Sequence, residues 1–264
     1  MASSTIWLRR LASVLGEPGS PRPLGGAAWR VAVDGRELVV KVGAGALDEA
    51  EGLRRLARAA GAPPVPEVLL VEPDLLVTAW VDQGPRTAAH EEALGRMLGA
   101  LHTTPVAEWG GGSSWIGACR VDPSPAPDAA GFYAARLLEL ARRCGMEHRV
   151  APLAARFGEL VPPDGPVLLH GDLWWGNVLW GADGRPWLID PSAHGGHPEE
   201  DLAMLGLFGD VPDRLLRAYA EARPLRPGRE EREPLFRLYP LLVHTVLFGG
   251  GYRAQAEAVL DRFA

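Results

Sequence analysis

Lysine is almost missing from this chain. Of its 27 basic residues only Lys41 is a lysine, and the rest are arginines. Asparagine is as scarce: Asn177 stands alone among 264 residues. Only two cysteines occur, Cys119 and Cys144. They have no metal-ligand spacing and make no disulfide framework, so a reducing cytoplasm is the expected compartment. No run reaches the ~18 apolar residues of a membrane-spanning helix. Met1 to Arg10 lacks the apolar centre of a signal peptide. The net charge is −6 and the arginines are dispersed, which argues against a nucleic-acid partner. No internal repeat and no low-complexity tail occurs, and nothing signals an obligate protein partner.

What is present suits one large domain or two small lobes. Hydrophobic residues make up 47% of the chain, enough for a core. Residues 3–15 read as a helix, with Ser3 or Ser4 as cap and Gly16 as its stop. Gly25-Gly26 precede an alternating run to Val33. Asp34-Gly35 then turns the chain into Glu37–Val42. Glycines ahead of such a hairpin can lay backbone N–H groups over phosphates. Lys41 lies on the second strand. An ammonium is a compact point charge for phosphate oxygens, which arginine's planar fork is not. A helix over 47–60 follows, with Glu49 and Glu51 as candidates to pair with Lys41. Val65–Val71 and Leu75–Val81 read as two more strands. Asp82-Gln83-Gly84-Pro85 breaks the pattern, which divides the chain into residues 1–82 and 83–264. At that linker, Ala79 and Val81 are candidates to meet a purine through their backbone.

Helices dominate after residue 85. They are expected at 88–103, closed by His102, and at 130–144, 151–160, 211–222, 234–248 and 254–263. A shorter one starts at Asp201, which reads as a first-turn residue. Residues 108–127 are rich in Gly and Pro, either functional or loosely ordered. The histidines of the loop 191–197 do not have the spacing of a zinc site.

The chemistry concentrates in His170-Gly-Asp172-Leu-Trp174-Trp-Gly-Asn177, followed by Trp187-Leu-Ile-Asp190-Pro191. Apolar runs lead into each acidic residue, and Gly181-Ala-Asp-Gly184 makes a turn between the last two. A loop and a hairpin thus bring two carboxylates to one place. Kinase-type phosphotransferases place an Asp, an Asn five residues on and a further Asp after a hairpin in this way. The first Asp takes the hydroxyl proton. The Asn and the second Asp hold magnesium, a hard cation that prefers oxygen ligands. This assigns Asp172 as base, with Asn177 and Asp190 as metal ligands.

These blocks resemble the fructosamine kinase (ketosamine 3-kinase) family, itself related to aminoglycoside phosphotransferases. The segment Asp190-Pro-x-Ala193-x-x-Gly-His197, Asp201-Leu-Ala-Met204, Trp115-Ile-Gly117, Leu207-Phe-Gly209 and Leu238-Tyr-Pro-Leu-Leu-Val-His244 share in the likeness. It runs from about residue 20 to the C-terminus. The resemblance implies an α+β, protein-kinase-like bilobal fold, with a small β-rich N-lobe holding one key helix and a larger, mainly helical C-lobe. It implies ATP and Mg2+, and transfer of phosphate to a sugar hydroxyl of a glycated amine. Its Glu-x-x-x-Leu pattern selects Glu49 over Glu51. It places Trp174 beside the sugar, and His194 where an aromatic residue usually lines the acceptor pocket. The family's redox-sensitive loop cysteine is missing, so no disulfide-linked dimer is expected.

The partner expected is therefore a small amine-bearing sugar, with neither membrane nor nucleic acid involved. An acidic protein suits a cationic acceptor. Protein kinase activity is disfavoured, because Asp-Pro replaces Asp-Phe-Gly and no Ala-Pro-Glu segment follows. Two alternatives stand beside this one: an aminoglycoside or other hydroxyl phosphotransferase, and a non-catalytic nucleotide-binding module.

Overall fold

The computed structural model describes residues 2–263, with side-chain surroundings from Ile6 onward. The expected caps Ser3 and Ser4 lie outside the residues whose side chains are described. Helix α1 (Ala2–Leu15) precedes a five-stranded antiparallel sheet of order β1-β2-β3-β5-β4. The strands are β1 (Arg22–Gly25), β2 (Ala28–Val33), β3 (Arg36–Val42), β4 (Val68–Glu72) and β5 (Leu75–Ala79). Helix α2 (Ala46–Arg58) lies between β3 and β4 in sequence. The β2–β3 turn has Asp34 at φ 48° and Gly35 at φ 79°, the left-handed pair that matches a two-residue hairpin to strand twist.

Period-2 alternation sorts this sheet's faces. Val31, Val33, Leu38, Val40, Leu75 and Val77 pack with Trp7 and Leu11 of α1. The intervening Leu76 packs with Ala46, Ala50 and Leu53 of α2. Burial of α1 and α2 on opposite faces fixes Lys41 on the α2 side, facing the rest of the molecule.

The larger lobe is built from α3 (Ala88–Leu101), α4 (Ala129–Arg143), α5 (Glu147–Leu160), α6 (Glu199–Leu205), α7 (Asp213–Ala222), α8 (Arg229–Phe248) and α9 (Gly251–Arg262). Short strands punctuate it: β6 (Trp115–Ile116), β7 (Cys119–Arg120), β8 (Val167–Leu169), β9 (Val178–Trp180), β10 (Pro186–Leu188) and β11 (His194–Gly196). β6 pairs with β7, β8 with β11 and β9 with β10, all antiparallel. One core joins α4, α5, α8 and α9 around Phe132, Tyr133, Phe157 and Phe236. A second joins α3, α6 and α7 to β8–β10 and reaches Leu56 of α2.

Several element bounds differ from expectation, and the loops gain detail. Helices α5 and α8 begin earlier than 151 and 234, so Pro152 and Pro234 lie inside them. Each proline removes a bond to the residue four back, here exposed His148 and Glu230, where water can solvate the freed carbonyl. The loop 191–197 contains a strand, β11. The Gly- and Pro-rich stretch 108–127 is fastened down. Gly110 exchanges both backbone bonds with Gly195, at 2.8 and 2.9 Å, and Arg55 Nη1 donates to Gly111 O at 2.9 Å.

Candidate active site

The loop after β8 is shaped by one buried carboxylate. Asp201 accepts from His170 N at 2.8 Å and from Gly171 N at 2.9 Å. His102 Nε2 stands 3.2 Å from the same group, and its Nδ1 bonds Tyr219 OH at 2.8 Å. Burial pushes the Asp201 carboxyl up, but these bonds outweigh it and hold its pKa below the usual range. Asp201 is thus a clamp on the loop as well as a first-turn residue of α6, and His102 orients the clamp as well as ending α3. Sequence reasoning missed this role because the partners are 30 to 99 residues apart.

His170 joins the two acidic loops. Its ring is fully buried, which lowers its pKa and keeps it neutral. Asp172 N donates to Nδ1 at 3.3 Å, and Nε2 bonds Ile189 O at 2.9 Å. The ring therefore sets the distance between the segments that carry Asp172 and Asp190. Gly171 sits at φ 81°, and a Cβ there would strike Ser192 O and the His194 ring. Gly176 has no room for a Cβ because the Trp174 ring lies over it.

Asn177 lies in a 3₁₀ turn, Trp175–Asn177. Its Nδ2 donates to Asp172 O at 2.8 Å and to Asp172 Oδ2 at 3.3 Å. The amide nitrogen is thereby committed to Asp172, which leaves the amide oxygen as the available ligand atom. Asp190, just past β10, holds φ 56°, a strained value for a residue with a Cβ. Lys41 Nζ reaches Glu49 Oε1 at 2.6 Å and also pairs with Asp190. Burial lowers the Lys41 pKa, yet the two carboxylates more than offset this and the net shift is upward. Glu51 instead stands near Arg58, exposed.

Two cavities meet at Glu49 and Asp190. One, of about 370 Å³, is lined by Gly25, Lys41, Thr78, Ala79, Val81 and Ile189, among others. The other, of about 260 Å³, is lined by Trp115, Asp172, Trp174, Asn177, Asp190 and Ser192, among others. Gly26 borders a third hollow that also contains Lys41 and Asp190. The Asp172 carboxyl is pushed up to about 7, first by burial and then by the charge of Asp190. A carboxylate so tuned suits proton transfer near neutral pH.

His194 does not reach this space. It is only 5% exposed. Its Nδ1 bonds Ser192 O at 2.8 Å, and Arg136 Nη1 donates to its Nε2 at 3.1 Å. Arg136 also donates to Glu200 Oε1, at 3.1 Å. Strand pairing of β11 with β8 turns the ring inward under Gly171, so its assignment to the acceptor pocket is withdrawn. Trp115 takes a place in the wall instead. It packs on Gly45, and Ser114 N ties its loop to Asp48 Oδ2 at 2.9 Å.

A sheet lobe with its Lys–Glu pair, set over a helical lobe that presents Asp172, Asn177 and Asp190, defines a kinase-type phosphotransferase. Within that class the chain belongs to the fructosamine kinase family, whose model matches residues 28–264. A Thermus thermophilus protein named as a probable ketoamine kinase is 35% identical over 210 residues, covering 77% of each chain. A Synechocystis protein named likewise is 34% identical over 202 residues, 71% of this chain and 66% of that protein's own length. A crystal structure from Thermobifida fusca, named for fructosamine-3-kinase, superposes with TM-score 0.88 at 36% identity and covers 97% of both chains. Choline kinase LicA from Streptococcus pneumoniae (TM-score 0.68, 13% identity) and aminoglycoside phosphotransferase APH(4)-Ia (TM-score 0.66, 16% identity) share the fold alone. Among the described residues, no helix is long and apolar enough to cross a membrane.

Proposed function

We propose that this protein transfers the γ-phosphoryl group of ATP to a sugar hydroxyl of a ketosamine, the adduct of a sugar with an amine. The observation that carries this reading is the convergence of Asp172, Asn177 and Asp190 on one cavity, with Glu49 on its wall and its partner Lys41 lining the adjoining one. Asp172 accepts the hydroxyl proton as the sugar oxygen bonds to the phosphorus. The bond from phosphorus to the bridging oxygen breaks, and ADP leaves with that electron pair. Glu49 holds Lys41 against the phosphates. Gly25 and Gly26 bend the backbone over them, and Ala79 and Val81 meet the adenine. His170 and Asp201 keep Asp172 in register. Trp174 covers the apolar face of the sugar.

Among the described residues, no group of three or more His, Cys, Asp and Glu could hold a metal on its own. The donor set nonetheless fits magnesium, which takes few protein ligands and completes its shell with phosphate oxygens and water. Asn177 through its amide oxygen and Asp190 would hold it. When bound, the ion neutralises charge on the phosphates. Support for a nucleotide also comes from the fold: LicA is described in complex with AMP, and APH(4)-Ia with AMP-PNP and hygromycin B. The division 1–82 and 83–264 is kept as the working boundary between nucleotide and acceptor lobes. A cytoplasmic setting suits the two free cysteines.

The test is ADP release with magnesium and ATP, offering fructosyl-lysine, ribulosyl-lysine and an aminoglycoside in parallel. Turnover on ketosamines is expected, and turnover on the aminoglycoside alone would overturn the acceptor. Asp172→Asn should lose about 10²–10⁴ in kcat, the usual contribution of a positioned base, while binding of ATP by calorimetry persists.

A further inference from the structure

Next to Trp174 lies a second group of aromatic side chains. Phe208 meets the Trp174 ring edge-on, with centroids 5.9 Å apart. His244 lies 5.2 Å from Phe208, and Tyr252 lies 4.9 Å from His244. Phe248 closes the group at 5.7 Å from His244 and 6.0 Å from Tyr252. The rings come from the catalytic loop, the segment after α6, the end of α8 and the start of α9. Gly249 and Gly250, both at positive φ, end α8 and fold α9 back so that Tyr252 returns onto His244. A great deal of this surface is open to water: Phe208 is 38% and Phe248 67% exposed. Exposed aromatic surface gathered in one place marks a binding face.

Its neighbourhood says what it binds. His244 also lines the small cavity that contains Asp172, Glu200 and Asp201. Of its three carboxylates, Glu200 is paired with Arg136 and Asp201 is held by backbone N–H groups and His102, which leaves Asp172 to face an acceptor. The aromatic shelf is therefore continuous with Asp172. Ring faces attract cations as well as apolar groups.

We propose that Phe208, His244, Phe248 and Tyr252 form the subsite for the amine half of the acceptor, and that it takes a protonated amine bearing an apolar or aromatic substituent. This rests on the ketosamine reading above. The sugar lies under Trp174, and the amine with its substituent extends outward across the shelf. A substituent ending in a carboxylate meets the negative ring faces and is disfavoured.

Three acceptors decide it: bare 1-amino-1-deoxyfructose, the fructose adduct of phenylethylamine, and fructosyl-glycine. In the wild type, KM for the phenylethylamine adduct should be about fivefold below that of the bare sugar amine, the scale of one aromatic or cation–π contact. KM for fructosyl-glycine should be the highest of the three. In Phe208→Ala and Tyr252→Ala the ratio of the first two values should fall toward one. Phe208→Leu and Tyr252→Leu remove the ring but keep an apolar side chain where alanine fails to fold, and a thermal melt identifies which variants are folded. Retention of the ratio in folded variants overturns the proposal. So does a concentration-dependent dimer that Phe248→Ser dissociates while the ratio stays, since the shelf would then be an interface between copies. Calorimetric binding of the same acceptors separates the two failures. A shelf-dependent preference in binding without turnover counts against the ketosamine kinase reading and for the shelf. Equal binding of all three by wild type and variants overturns the shelf, whatever the turnover.

Discussion

Gly171 shows how little freedom the residue preceding Asp172 has. Its φ of 81° and the closeness of Ser192 O and the His194 ring leave no place for a methyl group. Gly171→Ala should cost about 2 kcal/mol or more, a left-handed penalty added to an overpacking one. Because Asp172 moves with it, ADP release should fall further than stability alone explains. Urea unfolding and turnover on the same variant check both. At this scale the sequence was readable where a residue type is chemically irreplaceable. Lys41, Glu49, Asp172, Asn177 and Asp190 stand together in the cleft, the residue types that the proposed chemistry calls for. Asp201, His102 and His194 were not readable in the same way. Each has a partner far along the chain, and an Asp at a helix start, a His at a helix end or a His before a glycine looks the same whether it clamps a loop or faces water.

Among the elements, the α3–α7 pair is the most tightly set. Gly95 and Gly99, one turn apart on α3, face Leu215 O and Tyr219 O of α7 so closely that a Cβ on either would collide. The helices approach to backbone contact, and α7 in turn delivers Tyr219 to His102. The apolar stripe of α3 was visible in sequence, with Leu94, Leu98 and Leu101 buried as its spacing requires. The contribution of the two glycines was not, since a glycine inside a helix reads as a weakness of about 1 kcal/mol. Gly95→Ala should therefore destabilise the protein by about 1–3 kcal/mol through overpacking, although alanine is the better helix former. A higher melting temperature in that variant would show that α7 can move aside. The early starts of α5 and α8 carry a related lesson. Proline marks where a helix hydrogen bond is lost, and the helix begins elsewhere when water can take the freed carbonyl.

For the whole molecule, acidity is the condition that should reveal its buried charges. His197 is buried and stacked on Phe236 at 5.0 Å. Burial is the main cause that lowers its pKa to about 4, against an unfolded value of about 6.5. As pH falls, the unfolded chain takes up that proton first. Stability from this residue is therefore intact above about 6.5 and is lost between there and about 4, by about 3 kcal/mol in all. Urea midpoints from pH 7 to 4.5 should drop less steeply in His197→Gln than in the wild type, and parallel curves would refute the assignment. The change from strands to helices near residue 85 was readable from periodicity, whereas the fastening of residues 108–127 was not, because it depends on Gly110 meeting Gly195. The Lys41 ion pairs have a consequence beyond the cleft. Only a free, unprotonated amine attacks an aldose carbonyl, and this chain offers one side-chain amine in its whole length, kept protonated and shielded by Glu49 and Asp190. A protein that works on sugar–amine adducts is thereby a poor substrate for the reaction that makes them. After long incubation with glucose, mass spectrometry should find Lys41 unmodified, and Glu49→Gln should be the change that exposes it.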